Sequence, residues 1–501
     1  IHMKLIRPLI YTLALAIVAC SLPNTLAAEA TDPAVLVIVL DGLRPDYVTP
    51  ELMPNLHALG ESGIVGNNHH AAIPTVTRVN ATTLATGAHP GTHGILGNTI
   101  YLPEVNPDGG ISTWNANNLI HAEKVTGGKL LTAPSLGEHL EAAGKEILVV
   151  SSGSPGSAYL LNHKVKGRGI LNVDIILPES RREAVLKTLG AVPEDAAPNE
   201  GRNAWAVNAF FMELDQNGLP DMTFMWLSDP DHTAHEFGIG APESNRALKL
   251  VDEQIGRIVA KRKAAGLENR LNIIVTSDHG FSTHSGDIDL KALLKEHQLD
   301  KDVIIVGGGI YVRSGDKEQM IKIIKMLQEN EDVGAIVSRL GHGTLNPEYI
   351  HWAHPRNPDI WATPNWSDAK NEHGYAGTTF IGGTAGHGSM SPYDINATLI
   401  ANGPAIKQQR SRCSAPTANV DIAPTVCYLL GVAPAAAMNG RVLGELLKDP
   451  KAPKGEASTP GFIIPQSDSG YTIRLRQVDY GDYTYIDKAT VTRNGKPDLG
   501  E

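Results

Sequence analysis

The residues best suited to chemistry in this sequence are acids and histidines that follow apolar runs. Such side chains come soon after AVLVIVL, MTFMWL and LNIIVT, and one more histidine stands between glycines in GTAGHGSM. Because ligands of open α/β sheets bind beyond the carboxyl ends of the strands, these side chains are expected to meet there. The set is Asp41, Asp231, His235, Asp278, His279 and His387.

Three carboxylates and three imidazoles suit two zinc ions, each with three protein ligands and open positions for a substrate. Two metal ions about 4 Å apart can bind both the attacking and the leaving oxygen of a phosphoryl transfer. Each pattern alone has a commoner explanation, since an Asp-Gly pair after a strand is usually a turn. Their joint occurrence favours a two-metal site.

Thr77, in the stretch IPTVTRVN, is the candidate nucleophile. A threonine hydroxyl is inert at neutral pH unless a base or a metal ion removes its proton. Zinc coordination would remove it, and a helix beginning at Thr77 would add positive potential for a phosphate group. The neighbouring Thr75 is expected only to pack or to cap the helix.

The elements that must position these residues alternate along the chain. Amphipathic stretches predict helices, and one of them opens with Ser135 and Glu138 at the spacing of a capping box. The alternation predicts an α/β fold with a doubly wound, mainly parallel sheet flanked by helices. Strands covered on both faces are predicted from apolar runs at 34–40, 146–150, 222–227, 271–276 and 302–306.

The sequence predicts a main domain at residues 30–445 with a short leader before it and a small β extension after it. Residues 340–380 are rich in Pro, Asn, Trp and His and are predicted to form an irregular, cap-like insertion over the site. Residues 446–501 are predicted to form the C-terminal extension, with a β hairpin in GYTIRLRQVDYGDYTYIDKATV.

Residues 1–28 are interpreted as a cloning scar, Ile1 and His2, followed by an export signal. Two basic residues precede about a dozen apolar ones, a stretch too short to span a bilayer. Two processing alternatives stay open: cleavage after Ala28, or lipidation of Cys20 in IVAC. Both predict an exported protein, either periplasmic or lipid-anchored in the envelope, and the lipid is the one membrane contact expected.

The formal net charge of −11 argues against binding to a nucleic-acid duplex, whose partners are basic. It still allows anionic substrates, because bound cations can invert the local field. Cys413 and Cys427 are 14 residues apart, and in an oxidising compartment two such cysteines could pair. Two buried free thiols are the alternative.

With these residues in view, the chain resembles the nucleotide pyrophosphatase/phosphodiesterase branch of the alkaline phosphatase superfamily. Members carry an asparagine 21 residues after the threonine nucleophile, and Asn98 stands 21 residues after Thr77. The likeness covers roughly residues 34–445, the catalytic domain of such enzymes. It is carried by LDGLRPDY, PTVTRVNATTLATGAHPGTHGILGN, DPDHTAH, SDHG and GHGS.

The resemblance implies a two-zinc hydrolase of phosphodiester or pyrophosphate bonds that forms a covalent phospho-threonine and acts on a small phosphate ester. Asn98 would donate a hydrogen bond to a non-bridging phosphate oxygen, where charge builds in the transition state. The implied ligand sets are Asp231, His235 and His387 for one zinc ion, and Asp41, Asp278 and His279, beside Thr77, for the other.

Two departures from the family pattern bear on the substrate. Arg78 stands where family members usually have a phenylalanine that flanks the substrate. Lys166 and Arg168 have the Lys-x-Arg spacing with which a related phosphomonoesterase branch binds terminal phosphate oxygens, although KVKGRG is equally typical of a solvated basic loop. The alternatives are therefore a phosphomonoesterase or phosphonate hydrolase that uses this pair, and a non-catalytic envelope protein, which the six filled ligand positions disfavour.

Overall fold

The computed structural model describes residues 32–286, 288–408, 410–455 and 458–497. The predicted export signal, with Ala28 and Cys20, lies outside the described residues, so its processing stays a prediction. Among the helices of the described ranges, none has the length and apolar character needed to cross a membrane.

A mostly parallel sheet, with ten strands in the described part of the chain, forms the centre of the protein. The strand Asn396–Asn402 runs antiparallel to both of its neighbours. The predicted α/β fold class is confirmed. In spatial order the strands are Ser411–Cys413, Ile64–His70, Asn396–Asn402, Leu271–Thr276, Ala34–Leu40, Met222–Leu227, Ile147–Ser151, Gly169–Asn172 and Ile176–Leu177, with Thr417–Ala418 also paired to Ile64–His70.

The strand Ala34–Leu40 shows why this sheet needs helices on both faces. All seven of its residues are buried. Its valines at odd positions pack in one apolar core, and its leucines and isoleucine at even positions pack in a second core on the other face. Because successive side chains of a strand point to opposite faces, a run of apolar residues requires a cover on each side.

Helices cover both faces of the central sheet. The helix Leu136–Ala142 begins with the predicted capping box, in which Ser135 and Glu138 each bond the other's backbone. One face carries Thr77–Thr86, Ala116–Val125, Leu136–Ala142, Pro155–Leu161 and Ile422–Leu429. The other carries Pro54–Ser62, Arg182–Leu189, Glu200–Asn217, Asp231–Phe237 and Pro242–Ala264. Further helical segments are Pro90–His93, Leu290–Glu296, Lys317–Glu329 and Pro392–Ile395, with 3-10 turns at Pro45–Tyr47, Glu179–Arg181, Pro347–Ile350 and Asn419–Asp421.

The strand Val303–Val306 lies outside the central sheet, so its assignment to that sheet was wrong. It pairs antiparallel with Gly309–Val312 through the turn residues Gly307 and Gly308, which both have positive φ. A two-glycine turn of this kind makes a hairpin, which parallel neighbours cannot use. The four-stranded sheet that results has the order Val303–Val306, Gly309–Val312, Ile360–Pro364, Val333–Ser338.

Residues 340–380 are more regular than predicted, because they contain three strands. Part of this segment contacts the loop that leads to Asn98: Trp352 Nε1 donates to the Leu96 carbonyl (3.3 Å), and Arg356 Nη1 donates to the Gly94 carbonyl (3.0 Å). One of the strands is Ile360–Pro364. The other two join a small sheet with the order Trp366–Lys370, Ala376–Thr379, Ser282–His284, Ala385–Gly386.

The C-terminal residues form an antiparallel sheet whose centre is a hairpin, in the segment where the sequence predicts one. The sheet is tied to the rest of the protein: Trp366 Nε1 donates to the Ala489 carbonyl (2.7 Å), and Tyr471 Oη donates to the Gly334 carbonyl (2.6 Å). Its strands are Thr459–Ile463, Thr472–Tyr480, Tyr483–Arg493 and Lys496–Pro497. A two-stranded ladder, Thr99–Ile100 with Ile111–Ser112, follows Asn98.

The two cysteines of the described residues, Cys413 and Cys427, are both free and buried. The structure thus has the free-thiol alternative rather than a disulfide bond. Burial raises the pKa of the Cys427 thiol to about 12, which makes it a poor nucleophile.

Candidate active site

The predicted ligand residues lie together at the carboxyl edge of the central sheet. Asp41 directly follows one strand, Asp278 and His279 follow the next strand in the sheet, and Asp231 begins a helix just beyond a third. These three strands are adjacent and parallel, so their carboxyl ends meet at one edge. His387 is brought there by the small strand Ala385–Gly386.

Each of the three carboxylates has one buried oxygen without a hydrogen-bond partner among the described residues. These atoms are Asp41 Oδ1, Asp231 Oδ1 and Asp278 Oδ2. The other oxygens of two of them are bonded: Trp226 Nε1 donates to Asp41 Oδ2 (2.9 Å), and Gly42 N donates to Asp278 Oδ1 (3.1 Å). A buried carboxylate oxygen without a partner is unfavourable. A cation between the three would remove that cost.

The three histidines are held as neutral ligands would be. Because a carbonyl can only accept, each ring must be protonated at Nδ1, and Nε2 then offers a lone pair. The three bonds run from Nδ1 of His235 to the Ala385 carbonyl (2.9 Å), from Nδ1 of His279 to the Gly280 carbonyl (2.8 Å), and from Nδ1 of His387 to the Thr75 carbonyl (2.8 Å).

The Nε2 atoms face the carboxylates and form two groups with them. The ligand atoms of Asp231, His235 and His387 lie within 4.8 Å of one another, and these residues are the first predicted set. The second group consists of Asp41, Asp231 and His279. Asp278, which was predicted for the second set, has Oδ2 3.1 Å from His279 Nε2. The Asp231 carboxylate therefore stands between the two groups.

The charges of the residues in this cluster act strongly on one another. Burial, reinforced by the neighbouring carboxylates of Asp231 and Asp278, raises the pKa of Asp41 well above its usual range. Burial alone would raise the pKa of Asp231 too, but the charge of His235 outweighs it and lowers that pKa. The charge of Asp231 raises the pKa of His235 to about 9, while burial lowers that of His387 to about 4. The protein alone therefore favours a proton on Asp41 and on His235, and bound cations would instead favour the charged carboxylate and the neutral imidazole that metal ligation needs.

Thr77 is the first residue of the helix Thr77–Thr86 and is 4% exposed. Its Oγ1 lies 3.3 Å from His279 Nε2, at the edge of the second ligand group. The first backbone N–H groups of this helix have no intrahelical acceptor and give the hydroxyl a positive surrounding. The structure therefore places the predicted nucleophile beside the predicted metal ligands.

Asn98 lies against the start of the same helix. Its Oδ1 accepts a hydrogen bond from the backbone N–H of Arg78 (3.1 Å), and its own carbonyl accepts from Thr113 N and Thr113 Oγ1 (3.1 and 2.7 Å). Because Oδ1 must face that N–H, the amide orientation is fixed. Within the described chain, Nδ2 has no acceptor, so the side chain can donate to a bound ligand.

Lys166 and Arg168 lie at the opposite end of the sheet. Lys166 Nζ is 2.6 Å from Glu141 Oε2, and Arg168 Nη2 is 2.9 Å from Glu146 Oε2. The backbone N–H of Arg168 donates to the first residue of the strand Ile147–Ser151, whereas the candidate site lies beyond the last residues of the parallel strands. The pair on which the phosphomonoesterase alternative depends is therefore remote from the site.

Two residues that support the site were not predicted from the sequence. Trp226 orients Asp41, and Asn419 Nδ2 donates to the backbone carbonyl of Asp278 (2.9 Å). The role of Trp226 could have been predicted, because a tryptophan inside a fully buried strand must find an acceptor for its N–H group. The role of Asn419 could not have been predicted, because its hydrogen bond joins segments that are far apart in the sequence.

Comparison with known proteins agrees with the observed fold. The family model for type I phosphodiesterase/nucleotide pyrophosphatase matches residues 35–386. A venom phosphodiesterase of Crotalus durissus collilineatus is 25% identical over 445 residues, which cover 85% of this chain and 48% of that protein. Ectonucleotide pyrophosphatase/phosphodiesterase family member 1 of Mus musculus is 25% identical over 460 residues, or 87% and 45% of the two chains. The chain thus spans about half the length of these curated relatives.

Among solved structures, an inactive variant of murine ectonucleotide pyrophosphatase/phosphodiesterase 5 in complex with AMP matches with a TM-score of 0.62. The two chains are 20% identical, and the match covers 83% of this chain and 100% of the other. The human protein of the same name gives the same TM-score. At this identity the likeness concerns the fold, a mostly parallel sheet flanked by helices. Because the family model matches well over half of the sequence, including Asp41, Thr77 and Asp278, the chain belongs to the type I phosphodiesterase/nucleotide pyrophosphatase family.

Proposed function

We propose that the protein is a two-zinc hydrolase of phosphodiester or pyrophosphate bonds that acts through a covalent phospho-threonine at Thr77. The observation that carries this proposal is the position of Thr77 Oγ1, 3.3 Å from His279 Nε2 and beside three carboxylate oxygens without partners. A hydroxyl becomes a nucleophile where a metal ion removes its proton. The bond type is supported by the activities named for the family.

The residues that would hold the two ions offer only imidazole nitrogen and carboxylate oxygen, a donor set that zinc accepts. When bound, the ions would supply Lewis acidity, promoting loss of the threonine proton and neutralising phosphate charge. The proposed ligands are Asp231, His235 and His387 for one ion, and Asp41, Asp278 and His279 for the other, with the Asp231 carboxylate between them.

Thr77 would act in two balanced steps. In the first, Oγ1 releases its proton to solvent and attacks phosphorus, and the bond to the leaving group breaks with its electron pair on the leaving oxygen. In the second, a water oxygen attacks the phosphorus of phospho-threonine, and the threonine oxygen leaves with the electron pair and regains a proton. In both steps Asn98 Nδ2 would donate to a non-bridging oxygen as its charge grows.

The proposed substrate is a small phosphate ester. Nucleotide-like substrates are supported by the solved relative that binds AMP, and the net charge of −11 disfavours a nucleic-acid duplex. Export, with the protein periplasmic or lipid-anchored through Cys20, remains part of this proposal. Relatives that are venom proteins or ectoenzymes support it.

The test combines metal analysis with two substrates. Purified protein is expected to contain two zinc ions per chain and to hydrolyse bis(4-nitrophenyl) phosphate with a higher kcat/KM than 4-nitrophenyl phosphate. Acid quenching during turnover should leave a phosphoryl adduct on the peptide that contains Thr77, visible by mass spectrometry. Full activity with one ion or none, a preference for the monoester, or an adduct on another residue would overturn the proposal.

A further inference from the structure

Arg78 occupies a position from which its side chain can reach a bound substrate. It is the second residue of the helix Thr77–Thr86, directly after the proposed nucleophile. Its backbone N–H donates to Asn98 Oδ1 (3.1 Å). The residue is thereby fixed between the two groups that are proposed to contact the phosphoryl group, and its side chain is half-buried.

The guanidinium of Arg78 has no partner at hydrogen-bonding distance among the described residues, and its Nε is fully buried. Other buried arginines in this protein are bonded; Arg44, for example, donates to the Phe281 and Ala376 carbonyls (both 2.9 Å). A buried charged donor without an acceptor, as Nε of Arg78 is, is unfavourable, whereas the two terminal nitrogens of this guanidinium are not among the buried atoms. The missing acceptor is therefore expected to be a ligand.

The charge of Arg78 lies within electrostatic reach of the metal-ligand cluster. Burial lowers the pKa of Arg78, and the carboxylates of Asp41, Asp231 and Asp278 act against that effect. With zinc ions bound, those carboxylates would be engaged by the ions. The site would then carry one more positive charge than it would with a neutral residue in place of Arg78.

We propose that Arg78 is a specificity-determining residue that binds an anionic phosphoryl oxygen of the substrate beyond those met by the metal ions and Asn98. The guanidinium accordingly raises kcat/KM for substrates with a second negative charge near the scissile phosphorus more than for diesters with neutral substituents, relative to the same site with a neutral residue at this position. A guanidinium suits this task because its donors match two phosphate oxygens at once. This inference rests on the proposed function and specifies its substrate class.

The second negative charge of the substrate can come from either of two groups, and both present an anionic phosphate oxygen. In a pyrophosphate bond it belongs to the neighbouring phosphoryl group, and in a monoester it is the third oxygen of the scissile group itself. Three probes separate them: ADP-ribose has a pyrophosphate bond, 4-nitrophenyl phosphate is a monoester, and the 4-nitrophenyl ester of AMP is a diester that keeps the adenosine but lacks the second charge.

The test compares kcat/KM for the three probes in wild type, Arg78→Gln and Arg78→Lys. Arg78→Gln is expected to lower the value for ADP-ribose by about 10- to 100-fold, the range of a hydrogen bond to a charged group. The value for the neutral diester should change less than about threefold, and lysine should restore part of the loss. A parallel loss for the monoester shows that the guanidinium also binds the third oxygen of a scissile phosphate, and its absence restricts the contact to the neighbouring phosphoryl group. Equal losses for all three probes, or none, would overturn the inference.

A binding measurement keeps this inference separate from the proposed function. In zinc-loaded Thr77→Ala protein, Arg78→Gln should weaken calorimetric binding of ADP-ribose selectively over the AMP ester. Two controls are used: the zinc content, and Arg257→Gln, which removes a guanidinium on the helix Pro242–Ala264 that is bonded to Gln254 of the same helix and to Asn208 of the helix Glu200–Asn217. If wild type hydrolyses none of the probes, the proposed function fails. The binding measurement then still tests the inference. A loss of affinity in Arg78→Gln that is larger for ADP-ribose than for the AMP ester supports the role of Arg78, and an equal loss for the two ligands contradicts it.

Discussion

Trp226 donates a 2.9 Å hydrogen bond from Nε1 to Oδ2 of Asp41, and the other oxygen of that carboxylate has no partner within the described part of the chain. The bond turns Asp41 Oδ1 toward the ligand cluster. Groups that orient a metal ligand in this way typically change metal affinity about 10- to 100-fold when they are removed. Trp226→Phe is therefore expected to lower zinc affinity by about that factor, measured as zinc retained against graded chelator.

The chain offers a matched control in Trp205. It is 3% exposed, and its Nε1 has no hydrogen-bond partner in the described structure. Trp205→Phe therefore removes the same atoms from a buried site without removing a bond, and zinc affinity should stay at the wild-type value. Equal losses of zinc in the two variants would show that the Trp226 effect is one of packing.

Thr77→Ala should reduce kcat by about 10³-fold or more, because losing a nucleophile removes the covalent route and leaves only slower direct hydrolysis. Zinc content and the unfolding midpoint should stay near those of wild type. Thr77→Ser, which keeps the hydroxyl, should retain substantial activity. The control is Thr86→Ala on the same helix, where the hydroxyl donates to the Thr82 carbonyl (2.8 Å). Wild-type turnover by Thr77→Ala would place the nucleophile elsewhere.

Asn98→Ala should lower kcat about 10²-fold or more, by analogy with the loss of one donor from an oxyanion site. The reason is that Nδ2 is free to donate while Oδ1 is occupied by the Arg78 N–H group. Steady-state kinetics on an aryl diester give the measurement. A rise in KM with unchanged kcat would mean that Asn98 binds ground state and transition state equally and has no transition-state role.

Removal of metal should destabilise the protein, because it leaves the buried oxygens of Asp41, Asp231 and Asp278 without partners. Each ion at a free concentration about 100 times its Kd adds about 2.7 kcal/mol to the free energy of unfolding. The Tm in calorimetry should therefore fall on chelation and recover with zinc. Asp278→Asn should bind one ion fewer. A Tm that does not respond to zinc would argue against a metal centre at this edge of the sheet.

The Lys166→Ala/Arg168→Ala double variant should keep the wild-type ratio of kcat/KM between matched aryl diester and monoester. Both cations are engaged by glutamates at the amino end of the sheet, away from the candidate site. If the variant loses a monoester preference that wild type shows, this pair binds substrate after all and the enzyme is a phosphomonoesterase.

The part of the site that follows from strand position was predictable from the sequence. Asp41 comes directly after a continuous apolar run, Asp278 comes two residues after the largely apolar run LNIIVT, and adjacent parallel strands end at one edge. The place of Asp231 between the two ligand groups was not predictable, since it depends on where its helix begins in space. Thr77 was proposed from its place at the start of a predicted helix, and its spacing to Asn98 is a feature of the family rather than of local physics.

The fold, too, was predictable from the sequence only in part. The strands Met222–Leu227 and Leu271–Thr276 have the predicted boundaries, because long apolar runs have one stable environment in this architecture. Val303–Val306 has the same composition but lies in a separate sheet, and the deciding signal was the following Gly-Gly turn rather than the run itself. Strands in residues 340–380 depend on partners outside that segment, and local composition does not reveal them.

The proposed ligands are drawn from chain segments that emerge at very different times during synthesis. Asp41 is made first, Asp231 and Asp278 later, and His387 last of the four. The set of Asp41, Asp278 and His279 is therefore complete well before the set of Asp231, His235 and His387. The first of these sets would become available to an ion while the chain is still being made, whereas the second has to wait until most strands of the central sheet have been synthesised.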